Sequence, residues 1–228
     1  MGTSRHGDHL TKVTRLGSVN CYVVAGDDGV TIVDTAVPGS ADAILAAADA
    51  VGGRVRRIAL THAHGDHVGS LEELRARLPD VEVAISARDA RFLRGDRSVD
   101  PDEPQAKPRG SFPKVDVEPL RLVEPGDLVG PLEVVASPGH TPGHVAYIDV
   151  RDRTLIAGDA FQTLGGIAVA GKVRPLFPLP AFGTWHKPTA VESARRLRAL
   201  EPSRLAVGHG RVLESPAAEM DRAIADAA

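Results

Sequence analysis

A chain of 228 residues, 43% of them hydrophobic, can bury one α/β core, and a single domain over residues 1–228 with 1–10 as a flexible polar lead is expected. The formal net charge of -3 argues against general binding to nucleic acid or to a membrane surface. The N-terminal residues lack the apolar core of a secretory signal, and no apolar run reaches the about 18 residues of a membrane span, so a cytoplasmic location is expected.

In chain order, residues 12–16, 19–25 and 29–34 read as strands, the last two joined by the turn Gly26-Asp27-Asp28-Gly29, whose residue types suit positive φ. Cys21, the only cysteine, sits in an apolar run and is expected to be a buried structural thiol. Asp34 ends its strand, either as a turn or helix cap or as an orienter of a metal-bound histidine. Ser40 is expected to cap a helix over 41–51 with Ile44, Leu45, Ala48 and Val51 on its inner face.

Residues 55–60 form a buried strand that stops where Thr61-His62-Ala63-His64-Gly65-Asp66-His67 begins. In extended backbone His62 and His64, two residues apart, project to the same side. Gly65 permits a sharp turn that carries Asp66 and His67 round toward the same point. One loop can then serve two adjacent cations, and imidazole with carboxylate suits zinc as well as iron or manganese. Val68, Leu71, Leu74 and Leu78 follow at helical spacing, so the loop leads into an amphipathic helix that holds it rigid.

Residues 81–85 read as a strand and 87–93 as a short helix. Pro101, Pro104, Pro108, Pro113 and Pro119 then forbid regular helix across 95–119, which is either a disordered insert or a wall of the site. Short strands at 120–123, 127–129 and 132–136 lead into Ser137-Pro138-Gly139-His140-Thr141-Pro142-Gly143-His144. In that proline- and glycine-fixed loop His140 is the ligand candidate, while His144, opening the strand 145–150, is expected to be structural. The strand 154–157 delivers Asp159, and 204–207 delivers His209 between Gly208 and Gly210. Apolar strands ending near 33, 60, 157 and 207 thus each present a His or Asp at the carboxyl end, the edge where ligands gather in α/β sheets. Residues 161–189 are irregular yet rich in apolar side chains, and read as a pocket lining or flap, a loop packed on the core, or a homodimer contact. His186 within them is a candidate substrate contact, and helices are expected at 190–200 and 215–227.

The string H-x-H-x-D-H (His62, His64, Asp66, His67), with His140, Asp159 and His209 downstream and Asp34 upstream, resembles the metallo-β-lactamase-fold superfamily over about residues 12–213. The resemblance implies a four-layer αββα sandwich of two similar halves with the site on one edge between the sheets. It implies that His62, His64 and His140 hold one metal, that Asp66, His67 and His209 hold another, and that Asp159 bridges them. Two zinc ions, or iron or manganese, would acidify a bridging water that attacks an ester, thioester, amide or lactone of a small molecule, with Asp66 orienting the nucleophile or passing a proton. The motif strings are similar to those of glyoxalase II, although only about 19 residues follow His209 where that enzyme has a helical region. Against acyl-homoserine lactonases the departure is Gln162, where those carry a tyrosine. Some relatives are persulfide dioxygenases with a single iron, which leaves oxidoreductase chemistry, or a metal-bound scaffold without turnover, as alternatives.

Overall fold

The computed structural model describes residues 2–228. Its first sheet takes seven strands in chain order: β1 (Gly2–His6), β2 (Leu10–Arg15), β3 (Val19–Gly26), β4 (Gly29–Val33), β5 (Val55–Ala59), β6 (Glu82–Ser86) and β7 (Leu120–Val123). The first four run antiparallel and β4 to β7 run parallel. Parallel neighbours need crossovers. These are α1 (Ala41–Val51), then α2 (Gly65–Val68) with α3 (Leu71–Arg77), then α4 (Ala87–Leu93) with the irregular residues 94–119.

The remaining elements are β8 (Leu128–Val129), β9 (Leu132–Ala136), β10 (Val145–Asp149), β11 (Thr154–Ile156), β12 (Phe161–Gln162), β13 (Ala168–Val169), α5 (Leu179–Gly183), α6 (Lys187–Ala199), β14 (Arg204–Ala206), β15 (Leu213–Glu214) and α7 (Ala217–Ala227). The second sheet has the order β15-β14-β11-β10-β9-β8, and β12 and β13 pair as a separate ribbon. Here β11 and β14 are the parallel pair, with α6 in their crossover.

Strand alternation explains the layering. Side chains point to opposite faces with period two, so a strand buried on both faces reads as a continuous apolar run. In β3, Cys21 and Val23 join the helices α1, α3 and α4 in one cluster, while Tyr22 and Val24 face the second sheet. In β10, Ala146 and Ile148 pack with α6 and α7, while Val145 and Tyr147 face the first sheet. Ala59, Ala84 and Ala206 keep that middle layer thin. The result is helix, sheet, sheet, helix.

Several local expectations are corrected. The polar lead is not free: Gly2–His6 is β1, whose backbone pairs with β2 from Gly2–Thr14 to His6–Leu10, and such an edge strand needs no apolar content to form. Asp27 and Asp28 make the hairpin turn without positive φ, which falls instead on Gly29 (135°). Ser40 occupies the cap position of α1 but its hydroxyl donates to Val37 O at 2.7 Å, so it closes the preceding loop. The helix after the ligand loop is broken at Gly69-Ser70, because Gly69 N donates to Ala36 O (2.8 Å) and Ser70 Oγ to Val37 O (2.8 Å).

Candidate metal centre

The carboxyl ends of β4, β5, β11 and β14 meet the loop between β9 and β10 at one edge of the sandwich. Backbone and tyrosine hydrogen bonds lock the sheets together immediately behind it. Val145 N donates to Thr61 O (2.9 Å) and Asn20 N to Gly208 O (2.8 Å), while Tyr22 Oη donates to Val207 O (2.6 Å) and Tyr147 Oη to Leu60 O (3.0 Å). His62, His64, Asp66, His67, His140, Asp159 and His209 are all brought together there, with ligand-type atoms in three overlapping groups spanning at most 4.8 Å. Gly65 does not supply the turn through positive φ. The extended backbone of His64 (φ −71°, ψ 148°) makes the corner, and Asp66 and His67 stand in the helix α2.

The outer nitrogen of every imidazole in the set is held by an acceptor. His64 Nε2 donates to Arg109 O (2.8 Å) and His209 Nδ1 to Ser18 O (3.0 Å), both carbonyls. His67 Nδ1 donates to Asp34 Oδ2 at 2.8 Å. Thr61 Oγ1 gives its proton to Asp34 Oδ2 (2.8 Å) and therefore accepts from His62 Nδ1 (3.0 Å). Thr184 Oγ1 gives its proton to Pro180 O (2.8 Å) and therefore accepts from His140 Nδ1 (3.1 Å). Such partners orient metal-binding imidazoles and fix their tautomers. The left-handed Asp34 (φ 61°) is thus an orienter rather than a cap.

The inner nitrogens of His62, His64 and His140 are left with lone pairs. His62 Nε2 lies 3.1 Å from His64 Nδ1, which lies 3.0 Å from His140 Nε2. Burial pushes all three imidazoles below their ordinary range, so they stay neutral and no proton is available between them. Beside them, His209 Nε2 is 3.4 Å from Asp66 Oδ2 and 3.2 Å from Asp159 Oδ2, and His67 Nε2 is 3.4 Å from Asp159 Oδ1. Burial pulls the His209 imidazole down, but the Asp159 charge and the bonds to Asp159 and Asp66 outweigh it and leave it raised to about 9. His67 Nε2 and Asp159 Oδ1 are buried without a hydrogen-bond partner. Uncompensated buried atoms of this kind are costly, and cations among them would satisfy both groups. The residues present therefore fit a metal centre. Gly208 is part of that fit, because a Cβ there would stand 2.2 Å from Asp159 Oδ1.

His144 stays outside the set, as expected of it: Nε2 accepts from Asp159 N (3.2 Å) and Nδ1 donates to Ser137 Oγ (2.8 Å). His186 is not brought to the site and bonds Thr189 Oγ1 at 2.7 Å. Residues 94–119 are a wall, with Arg109 O, Gly110 and Ser111 against the centre. Residues 161–189 divide: Phe161 and Val169 join the core, while Phe177, Leu179, Pro180 and Gly183 line a cavity of about 420 Å³ that opens onto Asp66 and His209. The walls touch where Trp185 Nε1 donates to Ala106 O at 2.7 Å.

Sequence reasoning missed Asp89, which is wholly buried in α4 and accepts from Ala63 N (3.0 Å), Thr141 Oγ1 (2.8 Å) and Gly143 N (2.8 Å). It ties the two histidine loops together. A carboxylate on the same helix face as Ala90, Phe92 and Leu93 was the available signal, since an unpaired acid is rarely placed among core residues. Thr184, Arg109 and Ser18 carried no local signal.

An αββα sandwich with a buried His/Asp cluster on the edge shared by its sheets defines a class of metal-binding fold. The sequence model of the metallo-beta-lactamase superfamily matches residues 14–209, and the chain belongs to that superfamily. It is 48% identical over 216 residues to the uncharacterized protein YobT of Bacillus subtilis, covering 94% of this chain and 93% of that one. It is 33% identical over 197 residues to the probable metallo-hydrolase YflN of the same organism, covering 78% and 74%. A hydroxyacylglutathione hydrolase of Xanthomonas euvesicatoria is 34% identical over 143 residues, which cover 63% of this chain and 46% of the relative. Among solved structures, TTHA1623 in a di-iron-bound form superposes with a TM-score of 0.66 at 26% identity, covering 90% of this chain and 94% of that one. No helix among the described residues is long and apolar enough to cross a membrane.

Proposed function

We propose that this chain is a binuclear metal-dependent hydrolase that cleaves an ester, thioester or lactone of a small molecule. In this reading His62, His64 and His140 hold one divalent cation, Asp66, His67 and His209 a second, and Asp159 lies between them. The carrying observation is the arrangement of three neutral imidazoles whose inner nitrogens face one another within 3.1 Å with no proton to share. The likeness to YflN and to a hydroxyacylglutathione hydrolase supports the hydrolytic class.

Bound there, two cations supply an acidified water and a polarised carbonyl. This chain's own groups do the rest. Asp66 has a side chain 39% exposed beside the cavity, so the carboxylate oxygen not turned to His209 can orient the attacking water or pass its proton to the leaving group. Asp34, Thr61, Thr184, Arg109 O and Ser18 O keep the imidazoles from rotating during that transfer. Phe177, whose ring lies 5.1 Å from that of His209, covers one side of the centre.

Elemental analysis of protein purified without chelator, with a panel of thioesters, lactones and aryl esters, tests the reading. About two zinc ions per chain with turnover of any panel member is expected, and in the variant carrying His62→Ala with His140→Ala the metal content falls to about one. One iron per chain, with oxygen consumption on persulfides and no hydrolysis, would replace the proposal with a dioxygenase. Iron belongs in the comparison because TTHA1623 has been seen with two irons.

A further inference from the structure

We infer that the cavity beside the centre takes the apolar, uncharged acyl chain of a neutral ester, thioester or lactone, an inference about substrate class that rests on the hydrolase reading above. The cavity has two sides of different chemistry. One is the centre itself, reached through His64, Asp66, His140, Asp159 and His209. The other is Leu16, Val19, Phe177, Leu179 and Pro180, and no lysine or arginine lines it. At the apolar side, an acidic end on the acyl chain finds no lysine or arginine to pair with.

The rim carries the second observation. The four most exposed large apolar side chains of the described residues are Leu176 (85%), Leu16 (78%), Leu179 (65%) and Phe182 (60%). Leu16 and Leu179 line the cavity, Phe182 lies in α5 with Leu179, and Leu176 precedes the lining residue Phe177. Leu16 comes from the hairpin between β2 and β3 and Leu179 from α5, so two distant segments present apolar surface to one opening. Folding does not ask for this. Leu16 has φ 49°, a left-handed conformation that disfavours a leucine and suits glycine or asparagine, and its side chain points into solvent. Strain and exposed apolar surface kept together at a pocket mouth are what a binding site for an apolar group requires.

The reaction consistent with this places the chain in the cavity and the carbonyl at the centre. One water is consumed: its oxygen bonds to the carbonyl carbon, the bond from that carbon to the leaving oxygen or sulfur breaks, and a proton ends on the leaving atom. The products are a carboxylic acid and an alcohol or thiol, with no change of oxidation state.

The test uses the zinc-loaded protein with 4-nitrophenyl acetate, butyrate, hexanoate and octanoate beside the singly charged 4-nitrophenyl succinate, together with calorimetric binding of acetate and octanoate. In the wild type kcat/KM rises by up to about fourfold per added methylene until the cavity is full, and octanoate binds with a negative heat-capacity change. The double variant Leu16→Ser, Leu179→Ser lowers the octanoate-to-acetate ratio of kcat/KM about tenfold. A flat chain-length profile, or a preference for the succinate, overturns the inference and leaves the hydrolase reading in place. If no ester is hydrolysed, the hydrolase reading fails, and octanoate binding no tighter than acetate overturns the cavity assignment independently.

Discussion

Thr184 shows how much of this centre is decided by single polar atoms. Its hydroxyl donates to Pro180 O and accepts from His140 Nδ1, which leaves Nε2 of that ring with an inward lone pair. Valine has nearly the same shape but no acceptor. Thr184→Val strands a buried imidazole N–H and frees the other tautomer, so zinc affinity at the His62, His64 and His140 group should fall about 10–100-fold. Competition against a graded chelator measures this, and an unchanged affinity would remove Thr184 from the site. Gly110 makes the same point sterically. With φ 97° it lies so close to His64 that a Cβ would stand 2.3 Å from Nε2, and any side chain there would push the ring from Arg109 O.

The short helix α4 does two jobs with opposite faces. Outward, Arg88 pairs with both carboxylate oxygens of Glu103 (2.7 and 2.8 Å) and Arg91 with both of Asp100 (2.7 and 2.8 Å), which folds residues 94–119 back as a wall. Inward, Asp89 clamps the loops of His62 and His140. Burial raises its carboxyl to about 6, against the opposing hydrogen bonds from Thr141, Ala63 and Gly143. The unfolded carboxyl loses its proton near 3.8, so between about pH 4 and 6 the folded state binds more protons and stability falls as pH rises. That loss amounts to about 3 kcal/mol once the folded group has ionised. Asn at this position has one acceptor oxygen for three donors, and leaving a donor unpaired costs about 1–3 kcal/mol. Asp89→Asn is therefore expected to destabilise the chelated protein most near pH 4, with the gap to wild type narrowing toward pH 6 in urea unfolding. A gap that widened over that range would contradict the buried-carboxyl account.

At the scale of the whole molecule, the centre is where two sheets are pinned to each other. Tyr22 of β3 reaches the carbonyl that precedes Gly208-His209, and Tyr147 of β10 reaches the carbonyl that precedes Thr61-His62. Cations at this seam bind the folded state alone, and ligand at 1,000 times its Kd contributes about 4.1 kcal/mol, or an increase in Tm of about 8–16 °C for a chain of this size. The increase should grow with pH. In the metal-free protein His209 is raised to about 9 and His67 well above its ordinary value, burial being outweighed in both by Asp159 and its acidic neighbours. Zinc must displace those protons, so its affinity climbs between pH 6.5 and 9 and binding releases protons. Thermal shifts with added zinc across that range check the sign; a shift larger at pH 6.5 than at pH 8.5 would count against ligation by these imidazoles.

The segment from His62 to His67 was legible in the sequence because its geometry is local. A strand alternates side chains and a helix turn follows, so a few residues determine their own directions. The same holds for the apolar strands ending before Asp34, Asp159 and His209. Residues 95–119 and 161–189 were not legible, because proline-rich backbone without a period takes its path from whatever it packs against. The groups that fix each tautomer were equally hidden: Thr184 is 44 positions from His140, and Ser18 is 191 from His209. Asp89 became a clamp only when α4 was packed beside both histidine loops. Sequence alone determined which His and Asp side chains leave the carboxyl ends of the strands and so gather at one edge. Only the packing of the two sheets decided which nitrogen of each ring faces inward, because that depends on acceptors brought from distant parts of the chain.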